Sequence, residues 1–282
     1  MTNANAHLGK VQRYYDANTA GFVFRNGRKA QKSIHRAVWG ADTVTREEAF
    51  RYAEDAVLKV LKAVAPPSPP CVLDLGCGVG ASISYLASRT PLRAVGVTLS
   101  PVQAKAAAAH VESVGGTVHC ASFLDLPLES QSVDVAYAIE AFVHAPDPAR
   151  FFAEAARVLR PGGALVVIDD VLTLKGLSAT APADVRALAD FRRGWCLGAL
   201  ETVDALAAFA TRAGLGSQSW DDWSTQLELG RPRDRLLELF VPLMSRLPLK
   251  DPRLLTHVGG VALQNSLRRG LVAYGQLTWR KL

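Results

Sequence analysis

The sequence has few of the residues that mark secreted, metal-binding or membrane proteins. Its 282 residues include four cysteines, and the spacing of Cys71, Cys77, Cys120 and Cys196 matches neither a disulfide framework nor a metal site. We therefore expect a cytoplasmic protein and assign no metal ligands, and whether a metal ion is needed stays open. No apolar run approaches the roughly 20 residues that cross a bilayer, so no membrane span is expected. The opening residues, MTNANAHLGK, lack the apolar core of a signal peptide.

The composition is that of an ordinary globular protein. Hydrophobic residues make up 49% of the chain and charged residues 21%, which excludes disordered, collagenous and coiled-coil proteins. Thirty-two Lys and Arg against 26 Asp and Glu give a net charge of +6. This small excess permits an anionic ligand but does not by itself argue for nucleic acid.

Strand and helix patterns alternate from residue 71 onward. Helices are predicted at 46–64, 80–88, 101–114, 148–159, 202–216 and 236–247, and strands at 71–76, 93–98, 117–121, 133–138, 164–170, 218–225 and 271–282. Such alternation predicts an α/β fold with a mostly parallel, Rossmann-like sheet of seven strands and helices on both faces.

A proline cluster divides the predicted elements. Four prolines within residues 66–70 end the preceding helix, because proline cannot continue it. We therefore predict an N-terminal helical cap over residues 1–65. The main domain is predicted to cover residues 66–282, with a helical insertion at about 230–268.

A glycine-rich turn, DLGCGVG at 74–80, follows the first strand of the predicted sheet. Ligands of open parallel sheets bind at the carboxyl ends of strands, and glycine lets the backbone approach them closely. The third glycine comes one place too early for a dinucleotide fingerprint. Asp74 would repel phosphates but can hold an ammonium group. The turn therefore disfavours an NAD-dependent oxidoreductase.

At these residues the chain resembles the class I S-adenosylmethionine-dependent methyltransferases, over roughly residues 70–170. Four segments are similar to the narrower group of sterol, tocopherol and prenyl-diphosphate C-methyltransferases: GVTLSPVQAKAAA (96–108), FLDLPL (123–128), IEAFVHAPD (139–147) and RVLRPGG (157–163). IHRAVW (34–39) and YGQLTWRK (274–281) resemble the same group more loosely. The resemblance implies S-adenosyl-L-methionine as cofactor and methyl transfer as the reaction.

The resemblance also implies which residues contact the methionine part of the cofactor. Asp74, Gly76 and Gly78 are expected there, at the end of the first strand. Ser33, in the segment before IHRAVW, is expected beside the cofactor.

The ribose and adenine contacts are implied by the same resemblance. Many methyltransferases carry an acid after the second strand, whereas this group uses a TLSxxQ pattern, here Thr98, Leu99 and Gln103. Ser122 and Phe123 occupy the place where Asp-Ala often meets the adenine amine. Gln103 also fits an exposed helix residue, an alternative that the sequence leaves open.

Candidate catalytic residues follow the strand at 133–138. Attack of a carbon–carbon double bond on the methyl group leaves a carbocation, which needs a carboxylate, aromatic faces and a base. Glu140 is the candidate carboxylate, and His144 and Tyr14 or Tyr15 are candidate helpers. Glu140 also fits a cap of the following turn, and His144 fits a structural histidine bonded to backbone.

Acceptor contacts are expected from the N-terminal region and from one later tryptophan. The basic stretch 25–36 is either a solvated face or an anion clamp for a diphosphate. It lacks the interleaved aromatics of a nucleic-acid site. The predicted substrate-binding residues are Tyr15, Phe22, Arg28, Lys29, His35, Trp39 and Trp195.

These observations predict a methyltransferase with a lipophilic small-molecule acceptor. Carbon methylation of an isoprenoid or prenyl diphosphate in secondary metabolism is expected first. The alternative is oxygen or nitrogen methylation of a polyketide or alkaloid-like natural product. A silent cofactor-binding module is a further alternative, and the oligomeric state, homo-oligomers included, stays open.

Overall fold

The computed structural model describes residues 3–26, 35–64, 69–244 and 251–282; for residues 22–26, 233, 239 and 242–244 it describes the backbone alone. Three of the predicted site residues, Arg28, Lys29 and Ser33, lie outside the described residues. Phe22 lies on the first helix, and its side chain is outside the description.

Within the described residues, seven strands form one sheet in the order β3-β2-β1-β4-β5-β7-β6. The first five strands pair in parallel, and β7 runs antiparallel to both β5 and β6. This confirms the predicted mostly parallel α/β sheet. The strands are β1 Cys71–Leu75, β2 Arg93–Thr98, β3 Thr117–Cys120, β4 Val133–Ile139, β5 Leu159–Leu172, β6 Leu215–Asp222 and β7 Val272–Lys281.

Ten α-helices accompany the sheet in the described part of the chain. They are α1 Asn3–Asn26, α2 Arg46–Val64, α3 Ala81–Arg89, α4 Pro101–Glu112, α5 Pro148–Val158, α6 Leu174–Leu177, α7 Pro182–Gly194, α8 Val203–Arg212, α9 Pro232–Met244 and α10 Pro252–Arg268. The helix predicted at 202–216 ends earlier, because residues from Leu215 onward pair in β6. None of the helices described is long and apolar enough to span a membrane.

Side-chain caps fix where several of these helices begin. The hydroxyl of Ser100 accepts a hydrogen bond from the third residue of α4, and the carboxylate of Asp147 does the same for α5. Thr202 caps α8 in this way. Each cap satisfies a backbone N–H that has no partner within its helix.

The two faces of the sheet are covered by different helices. Along β4, Val135 and Tyr137 pack in a core that includes Val57 of α2, whereas Ala136 packs in a core with Phe151 of α5. Alternate residues of a strand point to opposite faces, so β4 is buried on both. The predicted boundary between cap and domain falls among residues 65–68, outside the described residues, and the division into two parts stays a prediction.

Two glycines let α7 and α10 approach each other closely. A Cβ atom at Gly194 would lie 2.4 Å from the Cα of Gly259, and one at Gly259 would lie 2.3 Å from Cδ1 of Trp195. The two helices therefore meet backbone to backbone, and this contact places Trp195.

This contact predicts opposite effects for two neighbouring substitutions. Gly259→Ala should destabilise the fold by about 1–3 kcal/mol, because the added methyl group overlaps Trp195. Gly260→Ala is the matched control, since a Cβ there meets nothing within 4 Å. It should be neutral or stabilising by up to about 1 kcal/mol, because alanine favours the helix. Urea unfolding midpoints measure both; equal midpoints would contradict the packing described.

Candidate cofactor and acceptor site

A cavity of about 530 Å³ opens near the carboxyl ends of β1, β2, β4 and β5. Helices α1, α9 and α10 and the segment 35–37 complete its walls. It brings together most of the side chains that the sequence predicted. Those lining it are Tyr14, Tyr15, His35, Asp74, Gly76, Gly78, Thr98, Leu99, Gln103, Phe123, Glu140, His144 and Trp195.

Two predicted residues lie elsewhere. Val38 pairs with Leu227 in an isolated bridge and is buried. Its neighbour Trp39 is 36% exposed and does not line the cavity, and its role as an acceptor contact stays a prediction. Ser122 does not line the cavity either; its hydroxyl accepts a hydrogen bond from the backbone N–H of Leu124.

The glycine-rich turn provides room for a ligand beside the backbone. Gly76 and Gly78 have φ angles of 109° and 52°, a region that favours glycine. A Cβ at Gly76 would lie 2.5 Å from the Cβ of Ala141, whereas one at Gly78 would meet no protein atom within 4 Å. Gly76 therefore serves close packing, and Gly78 leaves open space on the cavity.

Asp74 places a buried carboxylate at the end of β1. It is 4% exposed, and the hydroxyl of Tyr137 donates a hydrogen bond of 2.8 Å to its Oδ2. Burial raises the pKa of Asp74 to about 7, the Tyr137 hydrogen bond opposes this shift, and the charge of Glu54 adds to it. A desolvated carboxylate gains most from a nearby cation. The position therefore fits the ammonium group of the cofactor's amino-acid part.

The residues after β2 form a connected polar group. The hydroxyl of Thr98 donates to Oε1 of Gln103 at 2.9 Å, and both side chains are buried. Gln103 is therefore not the exposed helix residue that the sequence left open. Ser100, which caps α4, donates to Asp16 of α1 at 2.5 Å. No local pattern indicates Asp16, because the contact joins residues 84 positions apart.

Glu140 follows β4 with a φ of 52°, unusual for a residue with a side chain. Its Oε1 accepts hydrogen bonds from the backbone N–H of Arg36 at 2.9 Å and from the hydroxyl of Tyr274 at 3.0 Å. The short helix Phe142–His144 has no side-chain cap. Glu140 therefore holds other parts of the chain and does not cap the following turn.

Arg36 compensates two carboxylates at once. Its guanidinium donates to both oxygens of Asp170, at 2.8 and 2.6 Å, and its Nε lies 3.5 Å from Oε1 of Glu140. The guanidinium also lies 4.2 Å from the ring centroid of Tyr274. From the sequence, Arg36 was predicted only as one positive charge of the basic stretch 25–36. Its place in IHRAVW was the signal available.

His144 is both bonded to backbone and part of the cavity. Its Nδ1 lies 3.3 Å from the carbonyl oxygen of Cys196, and its Nε2 lies 2.7 Å from the hydroxyl of Tyr15. A carbonyl only accepts, so Nδ1 carries the hydrogen and Nε2 accepts from Tyr15. Burial lowers the pKa of His144 to about 4, and the ring is therefore uncharged at neutral pH. Tyr14 packs edge-on against Tyr15.

The outer part of the cavity carries paired charges. Arg46 donates to both oxygens of Glu228, at 2.9 and 2.8 Å, and Arg231 donates to Asp234 at 3.1 Å. With Arg36, every arginine of the cavity wall that the structure describes is paired with a carboxylate. Within the described ranges, no group of three or more His, Cys, Asp or Glu side chains is arranged to hold a metal ion.

A protein family described as "Methyltransferase domain" matches residues 73–167. 24-methylenesterol C-methyltransferase 2 of Oryza sativa subsp. japonica is 33% identical over 199 residues, which cover 66% of this chain and 54% of that protein. The chain thus spans about half the length of this relative. A solved geranyl diphosphate methyltransferase, in complex with GPP and sinefungin, aligns with a TM-score of 0.73 at 18% identity. It covers 98% of this chain and 100% of its own, and at this identity it shows a common fold.

A relative of similar size settles the family. 27-O-demethylrifamycin SV methyltransferase of Amycolatopsis mediterranei (strain S699) is 30% identical over 197 residues, covering 68% of this chain and 70% of that protein. The strand order, the glycine-rich turn and the buried Asp74 agree with this match. The chain belongs to the class I S-adenosylmethionine-dependent methyltransferases.

Proposed function

We propose that the protein transfers a methyl group from S-adenosylmethionine to an uncharged, lipophilic small molecule, by carbon methylation of an isoprenoid. The observation that carries this proposal is the placement of the Glu140 carboxylate in a cavity lined by Tyr14, Tyr15 and Trp195. A carboxylate and aromatic faces stabilise the positive charge that forms when a double bond accepts a methyl group.

The cofactor half of the cavity has a defined set of holding groups. When bound, S-adenosylmethionine supplies a methyl group on a positively charged sulfur. Asp74 would hold its ammonium group, and Gly78 leaves space for it beside the backbone. Thr98 and Gln103, which hydrogen-bond each other, would hold the ribose edge. Ser33 stays a prediction for this site.

The acceptor half supports an uncharged molecule. Five carboxylates line the described cavity, namely Asp74, Glu140, Asp169, Glu228 and Asp234, against three arginines, each of them paired. A diphosphate would have to compete with these carboxylates for the guanidinium groups. Arg28 and Lys29 stay predictions as diphosphate contacts.

Oxygen methylation is the second candidate. The 27-O-demethylrifamycin relative favours it, and so does the hydrogen bond between Tyr15 and the uncharged His144 at the cavity wall. A hydroxyl acceptor needs a group that removes its proton, and polar side chains of this kind can orient the hydroxyl. This candidate shares the cofactor site and differs in the atom that is methylated.

The first prediction from the proposed function compares two matched acceptors. Geraniol and geranyl diphosphate share their double bonds and differ in charge. With methyl-deuterated S-adenosylmethionine, we expect the label on carbon. Turnover should be about tenfold higher for geraniol, because the described arginines of the cavity are already paired with carboxylates and none of them is left to compensate a diphosphate. Mass spectrometry and NMR of the product locate the methyl group.

Each other outcome of this assay has a defined meaning. Label on oxygen would favour the second candidate. Preference for the diphosphate would contradict an uncharged acceptor. In that case Arg28→Gln with Lys29→Gln should raise the KM for geranyl diphosphate and leave that for geraniol unchanged.

A second prediction concerns cofactor binding. Asp74→Asn should weaken S-adenosylhomocysteine binding by about 10- to 100-fold, since a hydrogen bond between charged groups is lost. Binding of 5′-methylthioadenosine, which lacks the ammonium group, should change little.

The pKa of Asp74 is raised to about 7, so the carboxyl is neutral below that pH. Wild-type affinity should therefore fall from pH 8 to pH 6, and the asparagine variant should lose this dependence. If calorimetry finds that Asp74→Asn loses equal affinity for S-adenosylhomocysteine and for 5′-methylthioadenosine, the role of Asp74 in holding the ammonium group is refuted.

A third prediction concerns Glu140. Glu140→Gln should lower kcat by about 10- to 100-fold, because the negative charge near the forming cation is lost. The affinity for S-adenosylhomocysteine should stay unchanged. Glu129→Gln, at an exposed site, is the control. Wild-type kcat in the Glu140 variant would reject the assignment.

A further inference from the structure

A second carboxylate lies beside Glu140 in the cavity and has no counterpart among the sequence predictions. Asp169, on β5, is 2% exposed and lines the cavity. Ile139 of β4 pairs with Ile168 of β5 in parallel register, and the N–H of Glu140 donates to the carbonyl of Ile168 at 2.8 Å. Glu140 and Asp169 therefore follow paired positions on neighbouring strands.

The other two candidate bases on this side of the cavity are already engaged. Glu140 accepts from Tyr274 and from the backbone of Arg36, and it lies near the Arg36 guanidinium. Both hydrogen bonds are to Oε1, and the carboxylate already has a cationic partner. The free electron pair of His144 accepts from Tyr15, and burial lowers its pKa to about 4.

Asp169 is held differently. Its oxygens accept hydrogen bonds from the backbone N–H groups of Val143, at 3.1 Å, and Asp170, at 2.9 Å. Among the side chains that the structure describes, none is seen donating to it. Burial and the charge of Asp170 raise the pKa of Asp169 to about 8, and the charge of Arg36 opposes the shift.

The charged and titratable groups around Asp169 come from several elements. Asp170 is on its own strand, and Glu140 follows β4. Arg36 lies in the segment before α2. The charge of Asp169 contributes to the raised pKa values of Tyr15 on α1 and Tyr274 on β7.

We propose that Asp169 takes up the proton released during methyl transfer. This rests on the proposed methyltransferase activity but not on which atom is methylated. With an alkene, its π electron pair bonds to the methyl carbon, and the electrons of the sulfur–methyl bond stay on sulfur. An adjacent C–H bond then supplies the pair for a new double bond, and its proton moves to Asp169. With a hydroxyl, an oxygen electron pair attacks and the O–H proton moves to Asp169.

The proposal predicts a pH dependence of defined sign. Asp169 accepts a proton only when ionised, so kcat should rise with pH as the carboxyl loses its proton. Asp169→Asn should lower kcat by about 100-fold and remove this dependence. Asp204→Asn, at an exposed site, is the control. Wild-type kcat and pH profile in the Asp169 variant would overturn the proposal.

A measurement of cofactor binding tests the role of Asp169 without any acceptor. S-adenosylmethionine carries a positive sulfur at every pH, and S-adenosylhomocysteine does not. The ratio of their dissociation constants cancels the contribution of Asp74, which acts on the amino-acid part of both. As Asp169 ionises between pH 6.5 and pH 9, we expect calorimetry to show the charged ligand gaining about threefold over the neutral one. Asp169→Asn should not show this gain.

The two tests separate this proposal from the proposed function. An equal change of the ratio in wild type and Asp169→Asn overturns the role of Asp169, whether or not any acceptor is methylated. If wild type shows the expected change of the ratio with pH and Asp169→Asn does not, but no acceptor is methylated, the result counts against the proposed function alone. Should the asparagine variant not fold, Asp169→Glu decides: a displaced midpoint of the ratio supports the proposal, and an unchanged midpoint overturns it.

Discussion

The ion pair between Arg36 and Asp170 is the interaction on which the site depends. Burying a carboxylate costs several kcal/mol unless a partner compensates it. Arg36 compensates Asp170 through two hydrogen bonds and Glu140 through its backbone N–H and its nearby charge. Because Arg36 lies before α2, Glu140 follows β4 and Asp170 is on β5, one guanidinium joins the segment before α2 to the carboxyl edge of the sheet. Without it, the buried Asp170 and the partly buried Glu140 would lose the cation that compensates them.

The ionisable groups of the site differ in the partners that surround them. Glu140 and Asp170 are both paired with Arg36, which opposes the rise that burial causes in the pKa of Asp170, and His144 is uncharged at neutral pH. Asp74 and Asp169, each held by neutral donors, have raised pKa values of about 7 and about 8. A cation near either one would restore its charge. The cavity thus combines low charge, suited to a lipophilic acceptor, with two carboxyl groups that respond to positive charge.

The sequence was informative wherever the signal is local. The spacing of apolar residues predicted a helix at 46–64, and α2 has these bounds. The glycine-rich turn and Asp74 were predicted to contact the cofactor, and both line the cavity. The contact of Arg36 with Asp170 joins residues 134 positions apart, and no local pattern reports it. Trp39 was predicted to face the acceptor. Which side it faces is set by the bridge between Val38 and distant Leu227, a tertiary contact that periodicity does not contain.

Helix α1 connects the two halves of the site. Asp16 accepts a hydrogen bond from Ser100 at the cofactor end, and the next residue back, Tyr15, donates to His144 at the acceptor end. Adjacent residues of a helix point about 100° apart, so one turn of α1 reaches both β2 and β4. A movement of this turn would break both contacts together. The packing of α1 therefore holds the loops after β2 and β4 in place at the same time.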